Sequence, residues 1–139
     1  MKRFVLDASV ALAWFIDRSI APYATAVRKH LLDGSRAVVP ALWQLEVVNG
    51  FVIAERRGVL TSAEAMGILQ NFEIVLGQSI EIRHEPVSMR RIIATAREFR
   101  LTAYDAAYLD LAREQQLPIA TLDPHLVEAA TRASIPLLP

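Results

Sequence analysis

The chain opens on a short apolar run, Phe4, Val5 and Leu6, that stops at Asp7; from Ala8 to Ile16 it is apolar and alanine-rich, as a buried helix would be. Pro22 starts a second helical stretch with Ala26, Val27, His30 and Leu31 at helical spacing, closed by Asp33 and Gly34. Ala37, Val38 and Val39 read as a second strand ending at Pro40. Ala41 to Arg57 is helical, apolar almost all round and closed by Gly58, so the pattern predicts a buried helix. Thr61, Ser62 and Glu64 open the next helix, to about Val75, and Ile80 and Ile82 then alternate with Glu81 and Arg83 as in a strand. Pro86 is expected to begin an arginine-rich helix and Thr102 another, to about Gln116. Pro118 to Leu122 form a last strand, and Asp123 with Pro124 opens a final helix.

Strands alternating with helices predict an α/β fold, a three-layer α/β/α domain around a mostly parallel sheet. With 139 residues, 53% of them hydrophobic, and neither repeats nor linkers, residues 1–139 are expected to form one domain. Acidic and basic side chains balance at 15 each, so any attraction for phosphate must be local. The absence of cysteine removes disulfides, thiolate metal sites and cysteine nucleophiles, leaving oxygen and imidazole ligands. Lys2 and Arg3 before an apolar stretch loosely imitate a signal peptide, but Asp7 interrupts it. No apolar run approaches the ~20 residues that span a bilayer, so a soluble, cytoplasmic protein without membrane association is expected.

The chemistry lies in the acids. Asp7 and Asp123 each follow a short apolar strand and precede a helix, which in an open parallel sheet is the edge where ligand crevices form. Either could instead be a helix cap, a role worth ~1 kcal/mol. Glu46 sits in a helix whose neighbours Leu42, Leu45, Val47 and Val48 leave no broad polar face, so its carboxylate needs a cation, an arginine partner or a cleft. Asn49, three residues on, is placed to orient Glu46 or a water, and Gly50 permits close helix packing. Asp105 follows Thr102 with capping-box spacing, yet shares the helical stripe of Leu109 and Ala112, which faces the core.

Acids gathered in one pocket repel each other unless divalent cations neutralise them. All-oxygen ligation suits Mg2+ or Mn2+, which activate water for attack on phosphorus and stabilise the leaving oxygen.

In this arrangement the chain resembles the PIN-domain nucleases and, within them, the ribonuclease toxins of bacterial VapBC toxin–antitoxin systems. The likeness spans nearly the whole chain: FVLDASV with Asp7 and Ser9, PALWQLEVVN with Glu46 and Asn49, LTAYDAAYLDLA with Asp105, and LPIATLDPHL with Thr121 and Asp123. The resemblance implies a helix-flanked parallel sheet, Mg2+- or Mn2+-dependent endonucleolytic cleavage of RNA, homodimerisation and inhibition by a small VapB-like antitoxin. It makes Asp7, Glu46 and Asp105 the principal catalytic and metal-site acids and Asp123 the fourth, with Ser9, Asn49 and Thr121 as polar supports.

Other features have simpler accounts. Arg90, Arg91, Arg97 and Arg100 are placed to steer an RNA backbone, or form a solvated helix face. Trp14, Phe15 and Trp43 read as core, the alternative being a partner groove. His125 is read as an exposed residue of a first helical turn and Asp110 as a surface acid. A haloacid-dehalogenase-type phosphatase wants a second Asp where Ser9 stands, and a receiver domain wants an acceptor Asp where Pro40 closes the strand. A non-toxin RNA-processing nuclease and a non-catalytic RNA- or protein-binding module on the same fold remain as alternatives.

Overall fold

A computed structural model describes residues 2–139. Four parallel strands, β1 (Arg3–Leu6), β2 (Arg36–Pro40), β3 (Ile80–Arg83) and β4 (Ile119–Ala120), lie in the order β3-β2-β1-β4. Phe4, Val5 and Leu6 have no exposed surface, nor do Val38 and Val39. Strands covered on both faces need such unbroken apolar runs, whereas a sheet with one wet face would alternate.

Among the described residues six α-helices lie between the strands and a seventh follows β4: α1 (Ala8–Ile16), α2 (Pro22–Leu32), α3 (Leu42–Arg56), α4 (Ser62–Val75), α5 (Met89–Phe99), α6 (Ala103–Gln115) and α7 (Pro124–Arg132). Helices α1 to α4 pack among themselves, as do α5 to α7. Right-handed crossovers produce this division, because the chain steps one way from β1 to β3 and then returns past both to β4. The result is the expected three-layer α/β/α arrangement. The reversal falls between β1 and β4, and connections leaving neighbouring strands for opposite faces open a crevice at their carboxyl ends.

Phe15 anchors the first layer, stacked on Phe51 with ring centroids 5.5 Å apart and edge-on to Phe72 at 5.0 Å. Trp14 and Trp43 are buried with them, as core aromatics. Gly50 lets α1 close on α3, since a Cβ there would run into the Leu12 side chain.

Three sequence expectations are corrected. Helix α3 is not buried throughout: Leu45 is 74% and Val48 50% exposed, because one layer of helices covers only one side of α3. Helix α5 starts at Met89 rather than Pro86, since the Ser88 hydroxyl accepts the Arg91 N–H and sets the boundary there. The last strand shortens to Ile119–Ala120, because Thr121 turns its hydroxyl into the crevice; Leu137 then adds a single parallel bridge to Ile119. Among the described residues no helix is long and apolar enough to cross a membrane.

Candidate active site

Asp7 follows the last residue of β1 and donates its backbone N–H to Ala120 O at 2.9 Å, which locks the ends of β1 and β4 together. Although Asp7 occupies the N-cap position of α1, its side chain makes no cap hydrogen bond. The carboxylate instead accepts the Ser9 hydroxyl at 2.6 Å and the Thr121 hydroxyl at 2.8 Å, both on Oδ2. A helix cap therefore does not explain this buried acid.

The same two hydroxyls tie the second strand end in place. Thr121 Oγ1 accepts the Asp123 N–H at 3.0 Å, and Ser9 Oγ accepts the Leu122 N–H at 3.0 Å. Asp123 does cap its helix, taking the His125 N–H on Oδ1 at 2.9 Å.

Glu46 reaches the crevice from α3 and Asp105 from the first turn of α6. Thr102 accepts the Asp105 N–H at 3.2 Å, an ordinary N-cap. Glu46 Oε1 accepts the hydroxyl of Tyr108, a fully buried residue of α6, at 2.6 Å.

Electrostatics join what the chain separates. Burial raises the pKa of Asp7, the Ser9 and Thr121 hydroxyls draw it back, and the charge of Asp123 raises it further. Burial raises Glu46 as well, opposed by the Tyr108 hydroxyl and reinforced by Asp7 and Asp105. Asp105 is raised by burial, then by Asp123 and Asp7, and is drawn down by Thr102 and His125. Each of the four acids thus lies in the field of at least one other. Among the described residues no lysine or arginine forms an ion pair with any of them.

A cluster of carboxylates with three raised pKa values and no basic partner has the chemistry of a divalent cation site. Among the described residues no three of the acids are gathered tightly enough to hold one ion together. An ion here would take one or two carboxylates and complete its shell with water or phosphate oxygens, as Mg2+ commonly does.

The supporting and basic residues divide. Ser9 and Thr121 hold Asp7 directly, whereas Asn49 is exposed and makes no hydrogen bond to Glu46 among the described residues. Arg90, Arg91, Arg97 and Arg100 are exposed, and none contributes to the shifts of the acids. Arg91 is tied to Asp110 at 3.2 Å, so Asp110, with a side chain only 16% exposed, is a structural partner rather than a free surface acid. Tyr108 was not singled out by the sequence reading. Its signal was a tyrosine three residues beyond Asp105 on the inward stripe of α6, where a buried hydroxyl requires an acceptor.

The PIN domain family model matches residues 4–131. The chain belongs to the PIN domain family. PIN domains are generally nucleases and typically use divalent metals, which agrees with the donor set of this crevice. No functionally curated protein matches this PIN domain in sequence. Among solved structures it is similar to PAE2754 from Pyrobaculum aerophilum, with a TM-score of 0.68 and 23% identity over 92% of this chain and 84% of that one. It is also similar to FitAcB from Neisseria gonorrhoeae, with a TM-score of 0.66 and 17% identity over 98% and 96% of the two chains. FitAB bound to the IR36 DNA fragment gives the same TM-score and identity, over 97% of this chain and 93% of that one. At these identities the likeness concerns the fold.

Proposed function

We propose that this PIN domain is a Mg2+- or Mn2+-dependent endoribonuclease and the toxin of a VapBC-type toxin–antitoxin pair, made of one domain and acting in the cytoplasm. The observation that carries the catalytic part is the mutual field of Asp7, Glu46, Asp105 and Asp123 in a crevice without a basic partner. Asp7, Glu46, Asp105 and Asp123 would hold divalent cations there, which would supply positive charge for the scissile phosphate and lower the pKa of an attacking water.

The chain's own residues prepare that site. Ser9 and Thr121 fix the Asp7 carboxylate by donating to one oxygen, and Tyr108 fixes Glu46 in the same way. Burial and the neighbouring carboxylates raise the pKa of Asp7, Glu46 and Asp105, so a cation bound there competes with protons for the same oxygens.

Two observations support a protein partner. A cavity of about 640 Å3 lies between α1, α2 and α4 over Trp14, Phe15, Ile68 and Phe72, and the exposed Leu45 and Val48 leave α3 partly uncovered. Apolar surface of this kind marks association, which suits both a VapB-like antitoxin and a homodimer. The fold neighbour FitAB, solved on a DNA fragment, agrees with a nucleic-acid-associated assembly.

The test is cleavage of end-labelled RNA by purified protein. Cutting is expected with Mg2+ or Mn2+, is expected to stop with chelator, and is expected to vanish in Asp7→Asn while the circular dichroism spectrum is unchanged. Undiminished cutting by the chelated protein or by Asp7→Asn sinks the metal-centre reading, and failure to cut RNA under any condition leaves the binding-module alternative.

A further inference from the structure

A second cavity of about 380 Å3 opens at the carboxyl ends of β2 and β3, under Pro40 and Arg83, and the nuclease reading does not use it. Its volume falls within the ~300–1,000 Å3 of small-ligand sites. The floor is apolar: Leu42 from α3, Ile92 from α5, and Ala107 and Leu111 from α6. A rim of alternating charge surrounds it, with Arg83, Glu85, Arg91, Asp110 and Glu114.

The cavity shares helices α3 and α6 with the acid crevice. Leu42 stands one helical turn before Glu46 on the same stripe of α3, and Ala107 and Leu111 flank Tyr108 on α6. Asp7 and Asp123 follow β1 and β4, and Pro40 and Arg83, at the cavity, end β2 and β3, so the two places are separated by roughly two strand spacings, ~10 Å, along one sheet edge. A strand of RNA with its scissile phosphate at the acids would place a neighbouring base there.

The rim is not uniformly satisfied. Glu85 accepts two hydrogen bonds from Arg83, each at 3.0 Å, and Asp110 accepts from Arg91 at 3.2 Å. Glu114 lies 4.0 Å from the Arg91 guanidinium, beyond hydrogen-bond length, and among the described residues its carboxylate accepts no hydrogen bond, beside a guanidinium that has donors to spare. Arg83, held flat by its two bonds to Glu85, offers a planar face on which a base can stack.

We infer that this cavity receives a guanine base of the RNA strand next to the cleaved bond and so determines where the enzyme cuts; the inference rests on the nuclease reading above. Guanine alone presents two adjacent donors, N1–H and the N2 amino group, which match the two oxygens of Glu114, while its O6 accepts from Arg91. Adenine and cytosine would set a ring-nitrogen acceptor against the carboxylate, and uracil offers one donor between two acceptors. The Leu42, Ala107 and Leu111 floor takes the ring without cost in unpaired polar groups.

Titration of the chelated wild-type protein with GMP, AMP, CMP and UMP, followed through backbone amide shifts, tests the pocket without any cleavage. GMP alone is expected to shift amides in 83–88 and 107–114, and Glu114→Gln is expected to weaken that binding by roughly tenfold or more, since one of two acceptors is lost. Equal shifts with all four nucleotides, or none in these segments, overturn the assignment even if the protein cuts RNA well. Mapping cut sites in RNA is the second arm, and a guanine at a fixed offset from the cut, lost in Glu114→Gln, is expected. GMP binding without such a guanine means that the pocket serves a free nucleotide, and overturns the role in cut-site choice. An inert protein that still binds GMP would count against the nuclease reading and not against the pocket.

Discussion

Tyr108 donates its hydroxyl to Glu46 Oε1 at 2.6 Å, joining the middle of α6 to the middle of α3 across 62 positions of sequence. Burial first, and then the nearby Glu46 carboxylate, push the phenol far above its usual pKa, so Tyr108 remains a donor at every working pH. It sits where a leucine or phenylalanine would satisfy packing alone, and its oxygen holds one acid of the crevice in a single orientation.

Removing that oxygen while keeping the ring is the cleanest probe. Tyr108→Phe is expected to lower RNA cleavage by roughly 10–100-fold, the usual cost of losing a group that orients a metal-site acid. A hydrogen bond to a charged acceptor is worth ~1.5–3 kcal/mol, so the melting temperature should fall by a few degrees without loss of fold. Higher metal concentration is expected to recover part of the rate. Activity equal to wild type across a metal titration would show that Glu46 needs no such support.

Thr121 donates to Asp7 Oδ2 at 2.8 Å and accepts the Asp123 N–H at 3.0 Å, as Ser9 donates to the same oxygen and accepts the Leu122 N–H. Thr121→Val keeps the shape and deletes both. It leaves a partly buried N–H without its acceptor, at about 1–3 kcal/mol, and frees the Asp7 carboxylate on one side. Thermal denaturation should show the loss of stability and cleavage should fall, and the same is expected of Ser9→Ala, which removes the other donor to Asp7 and the acceptor of the Leu122 N–H. Unchanged cleavage in both variants would mean that the strand-end bridge contributes nothing to the site.

The pH dependence of stability follows from the raised acids. Asp7, Glu46 and Asp105 have folded pKa values above their ordinary 3.8, 4.5 and 3.8, so over that window and upward the unfolded chain loses these protons first. With fewer protons bound in the unfolded state, stability conferred by these groups falls as pH rises from about 4 through the raised values. Glu64 and Glu85, whose pKa values are lowered, act in the opposite sense in every variant. The difference between wild type and Asp7→Asn therefore isolates the site: in chelator, the advantage of Asp7→Asn in melting temperature should grow with pH, and Mg2+ should raise wild type more than the variant. A pH-independent difference would remove the electrostatic account of the crevice.

Much of this was legible in the chain because local patterns carried it. Phe4 to Leu6 ending at Asp7 gave a buried strand and its edge, and Thr61 with Glu64 formed the complete capping box that the spacing predicts. Glu46 could be nominated from expense, since among Leu42, Val47 and Val48 it has no local partner, Asp7 and Asp123 from their places between strand and helix, and Asp105 from its inward stripe. Asn49 shows the limit of that reasoning, for three-residue spacing placed it near Glu46 and the fold left it at the surface without the bond. Helix α3 shows another limit, because an apolar surface says that something should cover it and not whether this chain does so.

The sequence by itself determined the order of the elements, the parallel α/β class and which carboxylates were candidates for a site, since periodicity and desolvation act within a few residues of each position. Only the tertiary structure decided that Ser9 and Thr121 share one oxygen of Asp7, that Tyr108 holds Glu46, and that Asp110 belongs to Arg91. The first of those pairings arises where the strand order reverses and the others where helices far apart in the chain are packed together, and a contact between residues distant in sequence has no local signature from which it could be read.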